Sequence, residues 1–236
     1  MNSNLVMKKS TNNIPHFLNH RSRLRERFNN QGIIGLQDYE IIELFLTFVI
    51  PQKDVKQEAK EVIERFGSVK GFFEAEESEL QEIIYFKDKA LTLRRFIREV
   101  SELYQFETIK NIPVSQSYES LISFCKSKLG FVKEEQFWVI SLDSKFAVLK
   151  ADLISIGLTD KTTVYPKQIV ETALKNKAYS IILLHNHPNG NPQPSEEDRT
   201  ITKAIEIPAK LINITIYDHI IVSEDKYFSF KENKLL

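Results

Sequence analysis

The stretch "LLHNHPNGNPQPSEED" (Leu183–Asp198) closes a hydrophobic run with two histidines one residue apart, then turns through proline and glycine into a serine and three acids. With "AYSIILL" upstream, the run reads as a strand rich in β-branched residues and leucine. In a strand, residues i and i+2 share a side, so His185 and His187 emerge together at its carboxyl end while Asn186 faces away. After Pro188 the segment "NGNPQP" turns the chain, with Gly190 free to take a positive φ. Ser195 then opens a helix that carries Asp198 in its first turn. Two convergent neutral imidazoles suit a divalent metal such as zinc, and Asp198 offers a third ligand. Such a set leaves a fourth tetrahedral position open, as catalytic zinc sites do. The same "SEED" string is also a good helix start, with Ser195 as N-cap and Asp198 at N3, and that needs no metal. Cap and ligand are compatible roles.

Outward from this stretch the two halves differ in texture. The first half reads as helices: Arg21–Asn29, Asp38–Ile50 stopped by Pro51, the 53–67 segment with Gly67 as C-cap, Ser68–Phe73, Ser78–Ile84 and Ala90–Leu103. "ETIKNIPVSQ" (Glu107–Gln116) is polar, contains Pro113 and reads as a linker. The second half alternates: helix Ser117–Leu129, strands "QFWVISLD" and "KFAVLKADLISIG", helix Pro166–Asn176, the strand before His185, helix Ser195–Ile205, then strands "INITIYDHIIVS" and "KYFSF". The expected fold is therefore α/β (α+β), with an all-α domain followed by a domain built on one mixed sheet. The expected boundaries are a disordered tail over 1–14, a helical domain over 15–106, a linker over 107–116 and the sheet domain over 117–236.

Composition narrows the function classes. Basic and acidic residues balance at 32 each, and residues 1–106 hold 16 of each. A protein living on nucleic-acid phosphates usually carries a basic excess, and neither half has one. "HRSRLRERF" (His20–Phe28) is the one candidate basic patch. The single cysteine, Cys125, excludes an internal disulfide and a thiolate-rich zinc site, and its apolar helical neighbours mark it as a buried structural thiol. No run is apolar enough for a signal peptide or a membrane span, so a cytoplasmic location is expected. Trp138 reads as core and His219, in "TIYDHIIV", as a structural histidine at the sheet edge.

His-x-His-Pro followed by Ser-x-x-Asp resembles the metal signature of the JAB/MPN (JAMM) metallopeptidase domain, whose fold is cytidine-deaminase-like. The longer string "HNHPNGNPQPSEED", with "DHIIV" at Asp218–Val222, resembles the RadC branch. "HRSRLRERF", "LQDYEIIELFL" and "AKEVIERFGSVKGFF" look like the helical region of RadC proteins, so the resemblance covers nearly the whole chain from about Pro15. It implies one Zn2+ per chain held by His185, His187 and Asp198, with Ser195 stabilising an oxyanion. "KEEQFWVISLD" is similar to the strand that carries the superfamily's general base, which puts that role on Glu135, with Glu134 the neighbouring alternative. The implied reaction is metal-assisted hydrolysis of a peptide or isopeptide bond in an unknown peptide or protein substrate. The alternative is a non-catalytic interaction module associated with DNA repair or recombination, binding DNA or protein through the helical half. That half resembles a helix-hairpin-helix region, yet no glycine occurs between Phe73 and Leu129, which makes an amide-lined phosphate turn near Ile84–Asp88 hard to form.

Overall fold

The computed structural model describes residues 16–51, 53–83, 87–157 and 164–236. The expected tail over 1–14 and most of the 84–88 hairpin position lie outside them. The described chain divides into two compact units, with the division between Arg98 and Glu99.

The first unit is helical. It contains α1 (His16–Gln31), α2 (Asp38–Val49), α3 (Lys56–Phe66), α4 (Val69–Glu74), α5 (Glu77–Gln81) and the start of α6 (Asp88–Ile109). Gly67 ends α3 in the left-handed region at φ 77, and the Ser68 side chain caps α4 by accepting from Gly71 N. Its core gathers Ile42, Phe45, Leu46, Val62, Phe72 and Leu80. Two buried arginines tie the turns between helices. Arg21 donates to the carbonyls of Ile50, Pro51 and Lys53, and Arg94 to those of Phe72, Phe73 and Ala75. Arg27 is held by Glu40 at 2.7 Å. The candidate basic patch thus spends Arg21 and Arg27 on the unit's own structure.

The second unit is a mixed five-stranded sheet between helices. The strands β1 (Gln136–Leu142), β2 (Val148–Ile156), β3 (Ser180–Asn186), β4 (Thr215–Ser223) and β5 (Lys226–Ser229) lie in the order β2-β1-β3-β4-β5. Only β3 and β4 run parallel, and the helix α9 (Glu196–Leu211) connects them, as a parallel crossover requires. Period-two alternation sorts the side chains between two cores. Ile140, Ile182, Leu184, Ile220 and Val222 pack with Leu121, Cys125 and Leu129 of α7 (Val114–Leu129). Phe137, Val139, Ile181 and Leu183 pack on the other face with Ile169 and Ala173 of α8 (Pro166–Lys175) and Ile205 and Ala209 of α9. Cys125 is buried on α7 as expected, and burial pushes its thiol well above the ordinary range.

Three expectations need correction. Residues 107–116 are not a free linker: α6 runs to Ile109, Asn111 N donates to Val148 O at 2.8 Å, Val114 N donates to Phe146 O at 2.9 Å, and α7 starts at Val114. Ile109 and Val114 are fully buried, so this short stretch is anchored in the second core. His219 sits in the interior strand β4, not at a sheet edge, and is fully buried. Trp138 is only half-buried, with Lys128 Nζ 4.2 Å from its ring centre.

Candidate metal centre

His185 is in register with Phe137 on β1 and Ile221 on β4, so it projects from the middle of the sheet onto the α9 face. The Phe137 ring stacks on it, centroids 5.6 Å apart and planes 10° apart. His187 lies just past the strand, where its N–H donates to Val222 O at 2.9 Å and Ser223 Oγ donates to its carbonyl. The loop after it is built of asparagine turns: Asn189 Oδ1 accepts from Asn191 N, and Asn191 Oδ1 from Gln193 N, both at 3.1 Å. Gly190, at φ 81, supplies the left-handed residue that this reversal needs.

The loop delivers the start of α9 to the histidines. Ser195 caps the helix, its Oγ accepting from Asp198 N at 3.0 Å, while Asp198 Oδ2 accepts from Ser195 N and Ser195 Oγ at 2.7 Å each. The same carboxylate faces both rings: Oδ1 is 3.0 Å from His185 Nε2 and Oδ2 is 3.3 Å from His187 Nε2. The two Nε2 atoms are 3.0 Å apart. Capping and facing the histidines are therefore done by one side chain at once. The bonds of Ser195 Oγ are used within this box, so in this geometry the hydroxyl orients Asp198.

Glu135 joins the group from a distant part of the chain. Glu135, His185 and His187 each offer a ligand atom within 4.8 Å of the others. Glu135 lies just before β1, not within it. Its segment is held by Asn186, the residue between the two histidines, which points away from them as expected. Asn186 Oδ1 accepts from Gln136 N at 2.8 Å, and Nδ2 donates to the carbonyls of Val132 at 2.9 Å and Glu134 at 3.1 Å. Asn186 is itself buried. Glu134 is exposed, so of the two neighbours it is Glu135 that meets the histidines.

The electrostatics follow from burial and these bonds. Burial alone would raise the Asp198 carboxyl, but hydrogen bonds with His185 and His187 outweigh it and hold the group far below the usual carboxylate range. Burial likewise pulls His187 down, yet the bonds to Asp198 and to the Asn191 carbonyl leave its pKa raised. Glu135 is raised by burial, partly countered by the two histidines.

The donor set fits zinc. His187 Nδ1 lies 2.9 Å from the Asn191 carbonyl, which can only accept, so its proton belongs there and Nε2 is turned inward. His185 Nδ1 is engaged at 2.9 Å by His219, again leaving Nε2 inward. Bonds of ~2.0–2.1 Å at tetrahedral angles place ligand atoms about 3.3 Å apart. The observed separations of 3.0, 3.0 and 3.3 Å approach that edge length. Sequence reasoning missed His219 and Thr202. The His219 Nδ1 atom is 2.7 Å from Thr202 Oγ1, one turn along α9 from Asp198. Only the alternation of "DHIIV" with the strand before His185 hinted at this, because parallel pairing sets His219 opposite Leu183, on the His185 face.

A mixed sheet with a His-x-His pair at a strand end and an aspartate from the next helix defines a JAB-type domain. Residues 115–235 match the family model described as RadC-like JAB domain. UPF0758 protein FN0909 of Fusobacterium nucleatum subsp. nucleatum is 35% identical over 225 residues, spanning 92% of this chain and 97% of that protein. The chain belongs to the RadC family. Among the described residues no helix is long and apolar enough to cross a membrane.

Proposed function

We propose that the protein is a JAMM-type zinc hydrolase of peptide or isopeptide bonds, with one Zn2+ per chain held by His185, His187 and Asp198. The observation that carries this reading is the convergence of two imidazole Nε2 atoms and one carboxylate, each ring fixed from behind by a bond to Nδ1. With the proton of each ring on Nδ1, the two Nε2 atoms and the carboxylate would all be acceptors, an arrangement that a cation between them would make favourable. Zinc bound there would lower the pKa of a water toward ~7 and polarise a substrate carbonyl.

The protein's own groups then have separate tasks. Of the two carboxylates, Asp198 is assigned as ligand because it meets both Nε2 atoms directly. Glu135 is assigned as general base: half-buried with its pKa raised, its carboxylate accepts a proton from water and can return it to the departing amine. Asn186 fixes the backbone on both sides of Glu135. For Ser195 to donate to an oxyanion, its hydroxyl must turn from Asp198 Oδ2 to the substrate. The choice of peptide or isopeptide bonds rests on the JAB family relationship. The test is cleavage of an unbiased peptide library by the zinc-loaded protein and by Glu135→Gln. Cleavage lost in the variant supports the reading, and equal cleavage by both removes Glu135 from it.

A further inference from the structure

The proton on His185 is decided two residues away from the metal site. Thr202 Oγ1 has one proton, and it lies 2.5 Å from the Asp198 carbonyl oxygen, which can only accept. Toward His219 Nδ1, at 2.7 Å, the hydroxyl is therefore an acceptor, and Nδ1 carries a hydrogen. A single proton then lies between His219 Nε2 and His185 Nδ1, 2.9 Å apart. Were it on Nε2, the His219 ring would be a cation at 0% exposure, its two nitrogens facing a hydroxyl and an imidazole and neither a carboxylate. An unpaired buried charge is strongly unfavourable. With the proton on His185 Nδ1, both rings are neutral and every bond in the chain has one donor and one acceptor.

We infer that Thr202 and His219 are positioning residues that keep the His185 proton on Nδ1 and so present its bare Nε2 to a cation. The inference rests on the metal-site reading above. Phe137 stacks on the His185 ring and Phe230 on that of His219 at 4.6 Å between centroids, which opposes ring rotation.

The relay has a competitor to suppress. With Asp198 Oδ1 only 3.0 Å from His185 Nε2, an Nε2–H tautomer would make a good bond to the carboxylate and leave the ring no lone pair for a metal. The chain of hydrogen bonds starts at the backbone carbonyl of Asp198, which accepts from Thr202 Oγ1, and ends facing the Asp198 side chain. One residue of α9 thus sets both the third ligand and the proton position of the first.

The test reads the tautomer directly, by long-range 1H–15N spectra of the imidazoles in the metal-free protein, and zinc affinity separately, by competition with a chromophoric chelator. Wild-type His185 is expected as Nδ1–H. Thr202→Val removes the hydroxyl acceptor, so His185 should shift toward Nε2–H and zinc affinity should fall by about 10–100-fold. Thr202→Ser keeps the hydroxyl and should restore both. An Nε2–H tautomer in the wild type overturns the inference whatever the variants do, as does Thr202→Val with an unchanged tautomer. If the tautomer shifts as stated but the wild type binds no zinc, the relay stands and the metal reading fails. If zinc binds and Thr202→Val changes neither quantity, the relay fails and the metal reading stands.

Discussion

Two buried aspartates, Asp198 on α9 and Asp218 on β4, belong to opposite faces of the same sheet and are shifted in opposite directions. Asp218 faces α7 and is fully buried. It accepts from Ser229 Oγ at 2.7 Å, from Lys231 N at 3.0 Å and from its neighbour His219 N at 2.7 Å. Burial outweighs these bonds and raises its pKa. Asp198 is nearly as buried, yet its pKa is depressed, because its carboxylate faces the imidazoles of His185 and His187. A buried carboxylate closed off by fixed donors is a structural joint. One that shares its space with two inward nitrogens has the surroundings that the proposed cation site requires.

Substitutions can break this comparison, and the largest effect belongs to Glu135. Glu135→Gln keeps the size of the side chain but removes the proton acceptor, so hydrolysis of a library substrate should fall by about 10²–10⁴ while zinc content stays at the wild-type level. Loss of zinc in this variant would make Glu135 a ligand. Asp218→Asn, read by denaturant melts, should retain zinc but lose about 1–3 kcal/mol, since the new amide NH2 meets donors it cannot pair with. Its deficit should depend on pH. The folded pKa of Asp218 is raised above the ordinary 3.8, so the wild-type contribution is full below 3.8 and declines as pH rises through the folded value. An uncharged asparagine has no such decline, so the variant's deficit should be larger at acid pH and shrink toward neutrality. Ser195→Ala is the smallest change, about 1 kcal/mol of thermal stability for a lost cap. A much larger loss of hydrolysis than of zinc affinity in Ser195→Ala would assign its hydroxyl to the oxyanion.

How far such a site can be read from the chain depends on whether its parts are local. His185, His187, Ser195 and Asp198 fall within fourteen residues, and strand and helix periods place them correctly. The strands and the α7, α8 and α9 helices were legible for the same reason. The rest depends on tertiary pairing. Asn186 reads as an outward residue, and nothing local shows that it holds a segment fifty residues earlier. His219 reads as an edge histidine until parallel pairing with β3 sets it behind His185. Glu107–Gln116 reads as linker because its polar residues mask two anchors, Ile109 and Val114, whose burial is decided by the sheet domain. Arg21 likewise reads as surface charge, although its guanidinium is turned onto three carbonyls across a thirty-residue separation.

The most direct measurement is the zinc content of protein purified without chelator, determined by elemental analysis for the wild type, Asp198→Asn and Asp218→Asn side by side. About one zinc per chain is expected in the wild type and in Asp218→Asn, and little in Asp198→Asn, because a neutral amide is a poor zinc ligand. Full zinc occupancy in a folded Asp198→Asn protein would contradict it, reducing Asp198 to a helix cap and leaving Glu135 as the carboxylate beside the two histidines.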